Sequence, residues 1–273
     1  DKIQARFDAL RGTEIEVIPT VVDAHDTAAG SHVESVVASL EGRSLAGLVV
    51  VADAANGAAY DVARRALTRL GADVTMLHAA PDGTNINDGC GSTHPESLQA
   101  AVVEHGADLG VAFDGDADRL LAVDADGRLI DGDQIIAMCA LDAKTRGCLA
   151  GDAIVVTVMT NLGFRRAMDD AGIQIVDTKV GDRHVLEALD AGGYSLGGEQ
   201  SGHVIFRELA STGDGLLTAV QLLDIVARRG RPLGALADAA MTRMPQVLQN
   251  VRVAHRPADV DGLLAPFIDA SLA

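Results

Sequence analysis

The stretch DAIVVTVMTNLGFRRAMDDAGIQIV, residues 152–176, decides the fold, because its order of features occurs twice in the chain. An apolar β-branched run is followed by an Asn, a helical pattern with paired arginines, a Gly and a second apolar run. In the earlier copy LAGLVVVAD (45–53) reads as a buried strand, AAYDVARRALTRLG (58–71) as a helix ended by Gly71, and ADVTMLH (72–78) as the next strand. On this reading Val49-Val50-Val51 matches Ile154-Val155-Val156, and Asn56 matches Asn161. Arg64-Arg65-Ala66 matches Arg165-Arg166-Ala167, and Gly71 matches Gly172. Short apolar runs alternating with helical patterns define an α/β protein with mixed, mainly parallel sheets. The repeat makes it two similar α/β/α domains related by internal duplication.

The parallel extends further. PESLQAAVVEHG (95–106) is a helix leading into GVAFDGDADRLLAVD (110–124), and DRHVLEALDAGG (182–193) is a helix leading into YSLGGEQSGHVIF (194–206). Asp114 then corresponds to Glu199, and each copy ends a strand in a polar loop. A helix from Thr27 opens the first copy, and a hairpin turning at Asp126-Gly127 closes it. STGDGLLTAVQLLDIVARRG (211–230) reads as a long amphipathic helix closing the second, and PQVLQNVRV (245–253) as an outgoing strand. The expected division is residues 1–27 as a linker or the tail of a preceding domain, 28–132 and 133–246 as the two domains, and 247–273 as a connection onward.

The 273 residues carry 22 Lys and Arg against 39 Asp and Glu, a net charge of −17, which argues against nucleic acid and anionic membrane surfaces as partners. One locally basic pocket can still hold a small anion. Aromatic residues are 3% with no Trp, so the cores must be built from Ala, Val, Leu and Ile. Three cysteines without metal-ligand spacing, no apolar run of membrane-spanning length and no signal-peptide pattern point to a cytoplasmic protein with reduced thiols. The opening without Met and the close in FIDASLA suggest a piece of a larger protein.

Two loops carry chemistry. Asp114, Asp116 and Asp118 alternate directly after a buried strand, with small residues between them that let the carboxylates converge. Hard oxygen ligands in this arrangement suit Mg²⁺, which keeps positions for water or phosphate. Arg119 offsets part of the charge and can grip a phosphate with its planar fork. Metal and arginine beside a phosphate are the equipment of phosphoryl transfer. A solvated acidic turn is the bland alternative. An EF-hand fits poorly, with Arg119 in place of its glycine and Ala125 in place of its bidentate Glu. A haloacid-dehalogenase-like metal-dependent phosphatase would make Asp114 a nucleophile and Asp116 an acid, but expects Thr or Val at Asp118. In the second loop, Gly198-Glu199-Gln200-Ser201-Gly202-His203, glycines allow close approach, and Glu199 with Ser201 can grip vicinal sugar hydroxyls. A structural turn is the alternative there, and His203 either braces the loop or touches substrate.

FDGDADR with GEQSGH resembles the α-D-phosphohexomutases, as the second and third of their four domains. The segments PDGTNINDGCGSTHPESL (81–98), DTKVGDRHV (177–185) and STGDGLLTA (211–219) are similar to the bacterial phosphoglucosamine mutase branch. The resemblance implies an isomerase that interconverts glucosamine 6-phosphate and glucosamine 1-phosphate through a phosphoserine and a 1,6-bisphosphate, for cell-wall amino-sugar nucleotide synthesis. It implies Mg²⁺ on Asp114, Asp116 and Asp118, with Arg119 steadying the phosphoryl group. Glu199 and Ser201 would bind the sugar hydroxyls, with His203, Lys179, Gly181 and Arg183 as further substrate-binding candidates. Lys179 and Arg183 also read as surface ion-pair residues, and the 81–94 loop as a Gly- and Asn-rich turn that needs no ligand. A 2-hydroxy-sugar mutase of the same superfamily and a non-catalytic sugar-phosphate sensor are the other readings. The family's Ser-His-Asn-Pro loop and its fourth-domain phosphate loop are absent from the sequence. The chain alone is therefore expected to fold without turning over substrate, and its partners are expected to be the flanking domains and, among possible assemblies, a second copy.

Overall fold

The computed structural model describes residues 2–12, 25–247, 252–253, 255, 257 and 259–272. Helix α1 (Lys2–Leu10) precedes α2 (His25–Ala38). The first unit then runs β1 (Val49–Asp53), α3 (Ala59–Arg69), β2 (Asp73–Leu77), α4 (Glu96–His105), β3 (Leu109–Phe113), β4 (Leu120–Asp124) and β5 (Leu129–Ile130). Its sheet has the order β2-β1-β3-β4-β5. β1 is parallel to β2 and β3, whereas β4 and β5 turn antiparallel.

The second unit runs α5 (Gly132–Arg146), β6 (Ala153–Thr157), α6 (Leu162–Asp170), β7 (Gln174–Thr178), α7 (Asp182–Gly192), β8 (Leu196–Gly198), β9 (Val204–Phe206), α8 (Gly215–Arg229) and α9 (Leu233–Ala240). Its sheet order is β7-β6-β8-β9, parallel except for β9. Order and strand sense repeat those of the first sheet. Parallel strands covered on both faces explain the near-continuous Val, Ile and Ala runs.

Residue alternation splits each strand between two layers. Val50 and Ala52 enter a large core shared with Ile154 and Val156, while Val51 packs with Leu98 and Val102 of α4, and Val155 with Val185 and Leu189 of α7. This corrects the alignment of the repeats: Val50 is level with Ile154, one residue away from the match anchored on Asn56 and Asn161. The two asparagines do different work. Asn161 caps α6, accepting from Gly163 N at 2.9 Å, whereas Asn56 has a left-handed backbone with φ 48 upstream of α3. Pairing also sets Val51 beside Gly110 and Val155 beside Gly197. Asp114 and Glu199 are each the first residue beyond the third strand, but Glu199 is level with Ala112, two residues lower on its sheet.

The shared core is the main departure from two independent units. α8, read from sequence as amphipathic, is buried on nearly every side from Gly215 to Val226 and packs against both sheets as well as α2, α3 and α5. Its apolar residues join those of both units in one cluster. Asp131 starts α5 with a reciprocal capping box to Gln134, worth about 1 kcal/mol. Of the strand expected at 245–253, residues 245–247, 252 and 253 are not in a strand, and the remainder lies outside the described residues. Helix α10 (Val260–Leu272) follows. Among the described residues no helix is long and apolar enough to cross a membrane.

Candidate functional site

The acidic loop spans the turn between β3 and β4. Phe113 is fully buried, and the chain leaves the core directly into Asp114, whose side chain is also inaccessible. A buried carboxylate requires compensation, which Arg119 supplies twice. Its backbone N–H donates to Asp114 Oδ1 at 3.1 Å, and its Nε donates to Oδ2 at 2.6 Å. Arg119 Nε also lies 3.4 Å from Asp118 Oδ1. Burial opposes the guanidinium charge, but Asp114 and Asp118 outweigh it and raise the Arg119 pKa above its usual value.

Backbone bonds also hold the loop. Ala58 N donates to Gly115 O, and Gly215 N to Ala117 O, both at 2.8 Å, so the loop hangs between the starts of α3 and α8. Ala117 takes a left-handed φ of 61, which turns the chain between two acids. One carboxylate oxygen from each of Asp114, Asp116 and Asp118 lies within 4.8 Å of the others. Asp118 Oδ1 is buried without a hydrogen-bond partner. A convergent all-oxygen set with an orphaned acceptor suits a hard divalent cation such as Mg²⁺.

The sugar-loop candidate meets the acidic loop directly. Leu120 N donates to Gly202 O at 3.0 Å, and Arg119 and His203 form an antiparallel bridge. Gly202 has φ 95, and a Cβ there would strike the Leu120 carbonyl, so the approach requires glycine. Gly132 N donates to Gln200 O at 3.1 Å. His203 is buried at the junction, its Nε2 3.6 Å from Asp118 Oδ2, with neither ring nitrogen hydrogen-bonded. Glu199 Oε1 accepts from Gly181 N at 2.9 Å, which joins the turn after β7 to this loop.

The structure therefore brings Asp114, Asp116, Asp118, Arg119 and His203 into one cluster, with Glu199 and Gly181 paired beside it. Ser201 is exposed at the loop tip, and Lys179 is exposed in the same turn as Gly181. Arg183 donates from Nε to Glu187 at 2.8 Å on the surface of α7. The surface ion pair weighed for it in the sequence is present, and it leaves the remaining guanidinium nitrogens exposed.

An open cleft of about 550 Å³ lies against Asp116 and Asp118 and is also lined by His32, Ala58 and the Thr212–Asp214 turn. His32 Nε2 is 3.6 Å from Asp214 Oδ2, and Asp214 caps α8 by accepting from Leu217 N at 2.9 Å. Sequence reasoning missed His32 and Asp214. Asp214 had a signal, an Asp-Gly pair opening an apolar helix, whereas nothing local marks His32. A smaller cavity, 200 Å³, is lined by Arg43, Cys139, Asp142 and Arg228; Arg228 is paired with Asp142 at 2.6 Å and Arg43 with Asp224 at 3.0 Å.

Two domain patterns of one family match this architecture. Phosphoglucomutase/phosphomannomutase, alpha/beta/alpha domain II, matches residues 30–127, and domain III matches residues 131–244. The chain belongs to the phosphoglucomutase/phosphomannomutase family. Phosphoglucosamine mutase of Symbiobacterium thermophilum is 53% identical over 261 residues, covering 94% of this chain and 58% of that protein. Phosphoglucosamine mutase of Frankia casuarinae is 63% identical over 212 residues, covering 78% and 46%. A crystal structure of a phosphoglucomutase/phosphomannomutase family protein from Burkholderia thailandensis aligns with TM-score 0.73 at 31% identity, covering 87% of this chain and 52% of that one. The chain spans about half the length of the curated relatives it matches.

Proposed function

We propose that this chain provides the metal loop and the sugar loop of a phosphoglucosamine mutase, which moves a phosphoryl group between the 6- and 1-oxygens of glucosamine phosphate. The observation that carries this reading is the junction of the two loops: a convergent carboxylate triplet with an adjoining arginine touches a second loop that presents Glu199 and Ser201. In the proposed division, residues 28–132 carry the first loop and 133–246 the second. The names of the relatives favour the 2-amino sugar over a 2-hydroxy sugar.

Asp114, Asp116 and Asp118 would hold Mg²⁺, which supplies charge neutralisation to a phosphoryl group in transit. Arg119, fixed by Asp114 through Nε, keeps its terminal nitrogens for phosphate oxygens. Glu199 and Ser201 would accept and donate hydrogen bonds to the sugar 3- and 4-hydroxyls. These nearly exchange places when the ring is turned end for end, so one loop can read both orientations. Lys179, Gly181 and Arg183 would border the sugar phosphate, and His203 would hold the loops in register. The proposed reaction passes through a phosphoserine and a 1,6-bisphosphate in the polypeptide that carries the donor serine, within a cytoplasmic route to amino-sugar nucleotides.

The phosphatase reading loses ground at Asp118, where it expects Thr or Val. Calorimetric titration of the chain with glucosamine 6-phosphate in Mg²⁺ tests the proposal. Saturable binding that falls about tenfold in both Glu199→Gln and Ser201→Ala is expected. Binding unaffected by either substitution, or phosphate and beryllofluoride labelling of Asp114, would overturn it.

A further inference from the structure

A second cluster of metal-ligating side chains lies beneath the acidic loop. Asp53 ends β1, His78 follows β2 directly, and Cys90 sits in the Asn85–Ser92 turn; one donor atom from each lies within 4.8 Å of the other two. Asp53 and Cys90 are fully buried, and His78 is partly exposed. His78 Nδ1 is 3.0 Å from Asp53 Oδ2, yet that buried nitrogen has no aligned hydrogen bond. A ring nitrogen and a carboxylate oxygen 3.0 Å apart without an aligned hydrogen bond are spaced much as two ligands of one ion are, about 3.3 Å at tetrahedral angles and zinc bond lengths.

The surroundings fix these groups. Asp53 accepts from Ala55 N at 2.9 Å and Gly91 N at 3.0 Å, one bond to each oxygen, which leaves lone pairs on both. Asn56 Nδ2 lies 3.9 Å from Cys90 Sγ, a donor directed at the sulfur. Strand register adds an independent argument. Val51 is level with Val155, so Asp53 is level with Thr157, and His78 takes the place after β2 that Lys179 takes after β7. The second unit thus puts residues unsuited to a metal at both positions.

We propose that Asp53, His78 and Cys90 form a site for a borderline-soft divalent cation of the Zn²⁺ type, distinct from the acidic loop. One sulfur, one imidazole nitrogen and one carboxylate oxygen discriminate against Mg²⁺ and leave a fourth position open. On binding, the Cys90 S–H bond breaks, the thiolate sulfur bonds to the metal and the proton passes to water. The ion clamps the turn that floors the acidic loop: Asn87 N donates to Ala55 O at 2.9 Å, and a Cβ on Gly115 would lie 2.7 Å from both Asn87 Nδ2 and Ile86 Cδ1.

The test is Co²⁺ titration of the chain in a background of excess Mg²⁺, reading the near-ultraviolet thiolate-to-cobalt charge-transfer band. One equivalent should develop the band and Zn²⁺ should displace it. Cys90→Ser should abolish it, His78→Ala should weaken binding at least tenfold, and Asp116→Asn should leave it intact. No band at stoichiometric Co²⁺, a band surviving Cys90→Ser, or one lost in Asp116→Asn would overturn the proposal. Should Cys90→Ser fail to fold, Zn²⁺ protection of Cys90 in the unmodified chain decides. Alkylation mapped by peptide mass should slow at Cys90 on adding Zn²⁺, and an unchanged rate would overturn the site.

Discussion

The two loops each begin directly beyond the third strand of their sheet, and they are held by different means. The acidic loop carries an internal ion pair, with Arg119 folded back onto buried Asp114, and the Gly115 and Ala117 carbonyls are tied to the starts of α3 and α8. The Glu199–His203 loop has no such ion pair and is held by backbone donors, Gly132 N at the start of α5 to Gln200 O and, from the first unit, Leu120 N to Gly202 O. Concentrated negative charge needs a rigid internal counter-charge before any cation arrives. A loop proposed to meet neutral hydroxyls can instead be shaped by backbone bonds to its neighbours. The duplicated scaffold keeps its strand order and diverges at strand ends, where Asp53 and His78 stand level with Thr157 and Lys179.

The largest break should come from Asp114→Ala, which leaves Arg119 without its buried partner and removes one carboxylate of the triplet. Stability in urea should fall by about 2 kcal/mol, a value reduced from that of a fully buried pair because Arg119 is partly exposed. Mg²⁺ affinity by calorimetry should fall at least a hundredfold. An equally stable variant would show that the internal ion pair does not hold the acidic loop.

Gly202→Ala should follow, costing more than about 1 kcal/mol, because it combines a left-handed backbone with a clash against the Leu120 carbonyl. The damage should appear where the loops meet, as amide shifts at 199–203 and at Arg119 and Leu120, with Asp114 little changed.

Asp133 tests the packing of α5 within the second unit through pH. Burial pushes its pKa up to about 7, against the lowering effect of the hydrogen bond from Asn161 N at 2.8 Å. The folded chain therefore holds a proton that the unfolded chain releases near pH 4. Its stabilising contribution is complete below that point and is lost as pH rises through about 7. Asp133→Asn should flatten the stability profile between pH 4 and 7 and be the more stable protein above pH 7. Parallel profiles would contradict this.

Arg183→Ala should give the smallest effect. Its pair with Glu187 is exposed and screened by solvent, so the urea midpoint should not move measurably, while phosphosugar affinity falls a few-fold. An unchanged affinity would remove Arg183 from the proposed site.

Much of this was legible because hydrophobic period and loop chemistry agree locally. The β1–α3–β2 and β6–α6–β7 blocks, the acidic triplet and its arginine all read from short windows. The alignment slip at Val50 and Ile154 arose because one residue of loop length is invisible to pattern matching, yet it exchanges the two faces of a strand. α8 looked amphipathic because sequence cannot show that the second sheet's partner helix is also covered by the first sheet. Asp53, His78 and Cys90 come from three segments with no regular spacing, and His32 reaches the cleft only through tertiary packing. Contacts of that kind leave no local trace.

The central claim is that the acidic triplet and the Glu199–His203 loop form one site around one cation. Titrating Mn²⁺ into the ¹⁵N-labelled chain, with Zn²⁺ filling any thiolate site, tests it most directly. Amide signals of residues 114–119 and 199–203 should broaden together at the first equivalent, and Asp116→Asn should abolish both effects. Broadening of the acidic loop that leaves Gly202 and His203 sharp, or broadening of both that survives Asp116→Asn, would contradict the account.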